Sequence, residues 1–390
     1  MQRPNWGASL LSPADSHRCY SSTSVPEVIE GTRQIQFWGH ETEPFGTLNI
    51  DTPFHVVIKP LNPEKYPEMN RAFVRLFAPG GEEDEGQENS TLSHWSDLYT
   101  METSFVKDQL TLTGKIPKDI FGDCPPQITC LVEIPIKFNV NVKVEGQANV
   151  SLSDMESDDI FIRCQHGNCQ LKNVKSGKID VYCETGSLES SGFLQGNIRL
   201  GCGNDGMIKA QRLQGQNISC RTVSGNMDIA DIYASETMIT ASEKTILNLG
   251  SCHGKALINI NSGNINIKSV EGNLEAITQM GEVHVALTNT KKKVYVCSKR
   301  GDVSIGLPKP ADMDLDLLAA GIQLTKDFTY LVNSLVETTD QAQLLLMALE
   351  ETVGEKGGSK VTGDAKVGIL TIKYQDWLSS IGLSADDNDK

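Results

Sequence analysis

The chain has 390 residues, 34 of them glycine, with aromatics at only 6% and a formal net charge of −15. That length supports a sizeable core and two or three structural units. The acidic balance argues against a nucleic-acid binder, because phosphate contacts need a basic surface. No run of eighteen apolar residues occurs, so no membrane-spanning helix is expected.

Residues 1–30 read as a targeting or disordered segment. Ala8-Ser9-Leu10-Leu11 is too short to be the apolar stretch of a secretory signal. Arg18-Cys19-Tyr20-Ser21-Ser22 instead looks like a mitochondrial processing site, with Arg18 two residues ahead of a Tyr20–Ser21 scissile bond. Arg3, several serines and a single acid, Asp15, accompany it. The expected location is therefore the mitochondrial matrix, with the cytoplasm as the alternative.

Residues 31–150 read as a β-rich region of irregular spacing. Strand-like runs are Phe54–Ile58, Ala72–Phe77 and Ile128–Val132, and the acidic stretch Gly80–Ser90 reads as a loop. Ile134-Pro135-Ile136-Lys137-Phe138-Asn139-Val140-Asn141-Val142 alternates and leads into the next region.

From about residue 151 to 310 a glycine-led unit recurs, Gly followed by apolar residues at its second and fourth positions. It reads Gly177-Lys178-Ile179-Asp180-Val181, Gly196-Asn197-Ile198-Arg199-Leu200, Gly225-Asn226-Met227-Asp228-Ile229 and Gly263-Asn264-Ile265-Asn266-Ile267. Two interleaved series emerge. One runs Gly167, Gly186, Gly206, Gly225, Lys244, Gly263, Gly281, Gly301, and the other Gly177, Gly196, Gly215, Ala234, Gly254, Gly272, Lys291. Steps within each series are 18 to 20 residues, so one coil spans about nineteen residues with two strands and two turns. The alternating apolar positions face inward and stack about 4.8 Å apart, and roughly seven and a half coils would form a rod near 36 Å long. The fold class is mainly β, a single-stranded parallel β-solenoid with two-strand coils.

Outward positions carry charges expected to compensate one another: Glu189, Lys209 and Asp228 up one face, Asp180 beneath Arg199 on the other. Lys291-Lys292-Lys293 with Lys299-Arg300 reads as a solvated turn. Residues 311–390 read as a C-terminal cap. It holds a strand at Asp314–Leu317, a short helix over Thr339–Glu351 packing on the last coil, and a final strand at Gly368–Lys373.

Cys164, Cys183 and Cys202 recur at intervals of nineteen, and Cys220 follows with a one-residue slip. Such a column reads as core packing or as a redox site, since cysteine is small and readily buried and adjacent rungs bring sulfurs close. Cysteine spacing offers no zinc ribbon, and neither a nucleophile elbow nor a phosphate loop is present. No catalytic residue, cofactor or metal is expected.

The Gly-Asn/Asp-Ile-x-Ile repeats, entered through Ile134-Pro135-Ile136, resemble the "putative adhesin" domain family of unknown function, widespread in bacteria. With Arg18–Ser22, the chain resembles the animal mitochondrial branch of that family. The resemblance implies a β-solenoid and brings no established activity. The expected function is a non-enzymatic scaffold or protein-interaction module whose protein partners are unknown, self-associating through its faces or strand edges. The alternatives are an enzyme or binding module acting on a polymer or glycan, and an extracellular adhesin.

Overall fold

The structure is a computed structural model that describes residues 31–80, 98–117, 127–288, 293–309, 313–325, 331–337, 343–349 and 360–374. It is a parallel β-solenoid with two long strand ladders, one on each face of a flattened coil. On the first face Ile160, Ile162 and Cys164 pair with Ile179, Val181 and Cys183, and these with Ile198, Leu200 and Cys202. On the second face Cys169 pairs with Leu188, Leu188 with Ile208, and Ile208 with Met227. All these side chains lie inside, so like residues stack on like through a single continuous core. The backbone stays extended from Met227 to Met280, through successive corners of the coil.

Most corners carry glycine because the residue there sits on the carbonyl of the corner below; Ala234 and Lys244 are the described exceptions. A Cβ at Gly215 would fall on the Gly196 oxygen, and one at Gly281 on the Gly263 oxygen. Gly368, beyond the recognised repeat, continues the same column over Gly301. Asparagines at the corners, several of them directly after the glycine, have a separate task. Asn149 Oδ1 accepts from the Asn168 N–H, and Asn168 Oδ1 from the Ser187 N–H, both at 2.8 Å. Asn264 does the same for the Glu282 N–H at 3.0 Å. Each side chain thereby satisfies a donor of the next coil at a point where the ladder is interrupted.

At the N-terminal end the order in space departs from the order in sequence. Thr47–Thr52 lies on the first face between Gln109–Lys115 and Asn139–Val144. His55–Pro60 lies on the second face between Thr129–Ile134 and Val150–Ser153. The first coil of the chain is therefore the second coil of the stack. The alternating run from Ile134 to Val142 is divided by a turn, Phe138 N–H to Pro135 O at 3.1 Å, so its halves serve opposite faces. Antiparallel strands close this end: Arg71–Pro79 and Thr32–Glu41 on the second face, and Thr100–Val106 on the first.

The C-terminal end repeats the device. Lys360–Tyr374 inserts between the coil Lys293–Leu307 and the strand Met313–Leu324. The helix expected over Thr339–Glu351 is not seen. Gln343–Leu349 is instead a strand, antiparallel to both Met313–Ala319 and Leu331–Glu337. Its Leu344-Leu345-Leu346-Met347 run is too short to distinguish helix from strand, and the free edge at Asp314–Ala319 offers it ladder hydrogen bonds. Among the described residues, no helix is long and apolar enough to cross a membrane.

Candidate functional site

Two places on the coil gather polar or reactive side chains. The first is a corner, where the inward position closing each first-face strand carries Cys164, Cys183 and Cys202 on successive rungs. Cys169, five residues past Cys164 and across the corner, joins them and is fully buried. Cys220 does not. It pairs with Leu200 and leaves the slot above Cys202 to Thr222. Cys220 follows Ile218 by two residues, as Leu200 follows Ile198, whereas Cys202 follows Ile198 by four, so Cys220 falls one inward position short of the column.

Inside this corner the thiols act on one another. Interaction with the Cys169 and Cys183 side chains favours the Cys164 thiolate and draws its pKa down to about 5. The Cys169 thiol, sharing its proton with Cys164 and Cys183, is held well above the ordinary value. The Cys202 thiol is likewise pushed up, first by its bond to Cys183 and then by burial. Cys220 stands apart, pushed up to about 12 by burial. All eight described cysteines are free and buried. Among the described residues, no group of histidines, cysteines and carboxylates is arranged to hold a metal ion. Arg18, Tyr20 and Ser21 lie outside the described residues.

The second place is a groove of about 1050 Å³ that crosses the coils on the first face. Its floor is formed by outward positions of successive rungs: Asp180 and Tyr182, then Arg199 and Gly201, then Ser219 and Arg221. Gly201 creates the depression. The Tyr182 ring lies against it, its Cδ2 2.7 Å from where a Cβ would stand. Five cations line the groove, Arg163, Lys178, Arg199, Arg221 and Lys255, against two carboxylates, Asp180 and Glu236.

Both carboxylates are taken. Arg163 Nη2 bonds Asp180 Oδ1 at 2.8 Å, while its guanidinium lies 3.7 Å from the Phe161 ring centroid. Lys255 Nζ stands 3.4 Å from Glu236 Oε1. The sequence pattern pointed Asp180 toward Arg199, but the arginine one rung below holds it. Arg199, Arg221 and Lys178 are left with no carboxylate within reach among the described residues. Asp180 and Glu236 sit three rungs apart, about 14 Å at the strand spacing. That exceeds the roughly 5 to 9.5 Å at which paired carboxylates cleave glycosidic bonds.

On the opposite face the charges do compensate as expected, with Lys209 Nζ 3.3 Å from Glu189 Oε1. Sequence reasoning identified the outward charges but missed the groove. The available signal was Gly201, a glycine at an outward strand position rather than at a corner.

Solved structures offer three likenesses. The first is a putative cell adhesion protein from Clostridium sporogenes (10% identity, 88% of this chain and 100% of that one, TM-score 0.18). The others are putative adhesins from Bacteroides fragilis (11%, 87% and 97%, TM-score 0.22) and Parabacteroides distasonis (9%, 87% and 96%, TM-score 0.21). At such TM-scores nothing about this chain is drawn from them. Residues 195–321, which take in part of the regular coils and run into the C-terminal end of the stack, match the family described as Toastrack DUF4097.

Proposed function

We propose that this chain is a non-enzymatic β-solenoid interaction module, with the first-face groove as its contact surface. The observation that carries this reading is the row of cations, without a carboxylate in reach among the described residues, set on a continuous ladder. A stacked parallel sheet holds such side chains at fixed spacing, so a partner binds without ordering the surface first. The test is cross-linking of the full-length chain in cells followed by mass spectrometry. Defined partners cross-linked through Arg199- or Arg221-bearing peptides support the groove as the contact surface. Cross-links confined to other surfaces rule it out as that surface, and the absence of any defined partner sinks the module.

For location we propose the mitochondrial matrix, on the Arg18-Cys19-Tyr20-Ser21 sequence. A mature N-terminus at Ser21 in the same experiment would support import, and an intact Met1 with cytoplasmic partners would refute it. The second reading is an extracellular adhesin, supported by the likeness of the glycine-led repeats to the adhesin-type family and by the Toastrack match. It requires the chain on the cell surface, which labelling of intact cells with an impermeant amine reagent detects.

A further inference from the structure

We infer that the groove accepts an extended acidic polypeptide segment carrying an apolar side chain, an assignment that rests on the interaction-module reading. The first argument is charge. On a chain of net charge −15, this groove concentrates five cations against two carboxylates, and both carboxylates are already paired. The cations left over are complementary to an anion from outside.

The second argument is spacing. Lys178, Arg199 and Arg221 stand on three successive rungs, each two residues further along its strand than the one before. They form a diagonal row with steps of roughly 8 Å, from a rung of about 4.8 Å and a two-residue advance of about 6.7 Å. An extended peptide presents the same side every second residue, again about 6.7 Å. Long cationic side chains absorb the difference, and arginine grips carboxylates through its planar fork.

The third argument separates a peptide from an acidic sugar chain. Past Ser219 the same column continues with Met238, which is 49% exposed, and Leu257 lines the groove beyond it. Sugar hydroxyls would gain nothing from this apolar end, whereas a leucine-like side chain would bury it, and methionine adapts well to such contacts. Tyr182, half-buried over Gly201, offers no free flat ring for a sugar to stack upon.

The experiment titrates the full-length chain against a short fluorescein-labelled peptide in which Glu alternates with Thr around one central Leu, read by fluorescence anisotropy. Binding is expected to weaken as salt rises. It should weaken about tenfold for Arg199→Ser and further for the Arg199→Ser/Arg221→Ser pair. A few-fold loss is expected for Met238→Ser, and none for Lys209→Ser on the opposite face. These positions are solvent-facing, so unchanged unfolding temperatures establish that the variants fold. Equal binding by the double arginine variant, or of a peptide with Gln in place of Glu, overturns the inference. So does tighter binding of polygalacturonate than of the peptide. If the double variant keeps every cellular cross-link of the parent, the groove is not the peptide site, and a module using another surface remains. If the parent has no cellular partner, the module reading fails while the peptide titration still reports on the groove.

Discussion

The middle of the stack and its two ends are built from the same ladder but obey different rules. In the middle, residues 156–288, each coil lies on the coil that precedes it in sequence, and inward positions repeat rung by rung. At the ends a coil is placed between two coils remote in sequence: Thr47–Pro60 at one end and Lys360–Tyr374 at the other. Local repetition therefore specifies the middle, while long-range pairing specifies the ends. The two kinds of region should fail differently.

The largest expected effect comes from deleting the chain after Ser359. The coil at 293–307 and the strand at 313–324 would lose their shared neighbour, because both pair with Lys360–Tyr374. Amide exchange should show protection lost over 313–349 and retained over 169–288, since coils in a solenoid depend mainly on their nearest neighbours. Uniform loss across both regions would break the distinction.

Next is a paired substitution at glycine. Gly215→Val places a side chain on the Gly196 carbonyl in the regular middle and should cost roughly 3–5 kcal/mol or prevent folding. Gly321→Ala, in the terminal strand, finds only Ile369 Cγ1 at 4.0 Å. It should stay within about 0.5 kcal/mol in chemical denaturation.

Alkaline pH gives a smaller and graded effect. Burial raises the folded Cys220 thiol from 9.0 to about 12. Its contribution is then complete below pH 9 and is lost as pH rises toward 12, because the unfolded chain releases that proton first. Urea denaturation of Cys220→Val should lose less stability over that interval than the parent, a difference of at most a few kcal/mol. Identical slopes would mean the site is not closed to solvent. The smallest expected effect is Asn168→Ala, which frees the Ser187 N–H and should cost about 1 kcal/mol. The same change at Asn70, whose side chain bonds only the exposed Glu68 at 2.9 Å, should be near neutral.

This division also explains what could be read in advance. The glycine columns and the Ile160/Ile179/Ile198 stacking follow from spacing alone, because each coil repeats the constraints of the last. The placement of Thr47–Pro60 and Lys360–Tyr374 leaves no periodic mark, since their neighbours lie far away in the chain. Gln343–Leu349 reads as helix in isolation because its apolar run is short and one of its strand partners, Met313–Ala319, lies about thirty residues away. At the groove, the outward charges were visible but their pairing was not. Asp180 has a cation on the rung above and another on the rung below, and alternation alone cannot choose between Arg199 and Arg163. Cys220 is ambiguous because it lies two residues, one inward position, ahead of the Cys202 slot while this coil is one residue longer, so its spacing of 18 differs from nineteen by only one; the pairing with Leu200 resolves it.

The insertion of Lys360–Tyr374 has a mechanical consequence. A terminal coil with one neighbour can be peeled from a stack by breaking its hydrogen bonds in succession, as a zipper opens. Here the last described strand is bonded along both edges, to Val303–Leu307 on one side and to Gly321–Leu324 on the other. A pull on the chain beyond Tyr374 therefore loads two rows of bonds together, in shear along the strand. The strand Lys360–Tyr374 is built as an anchor point rather than as a loose thread.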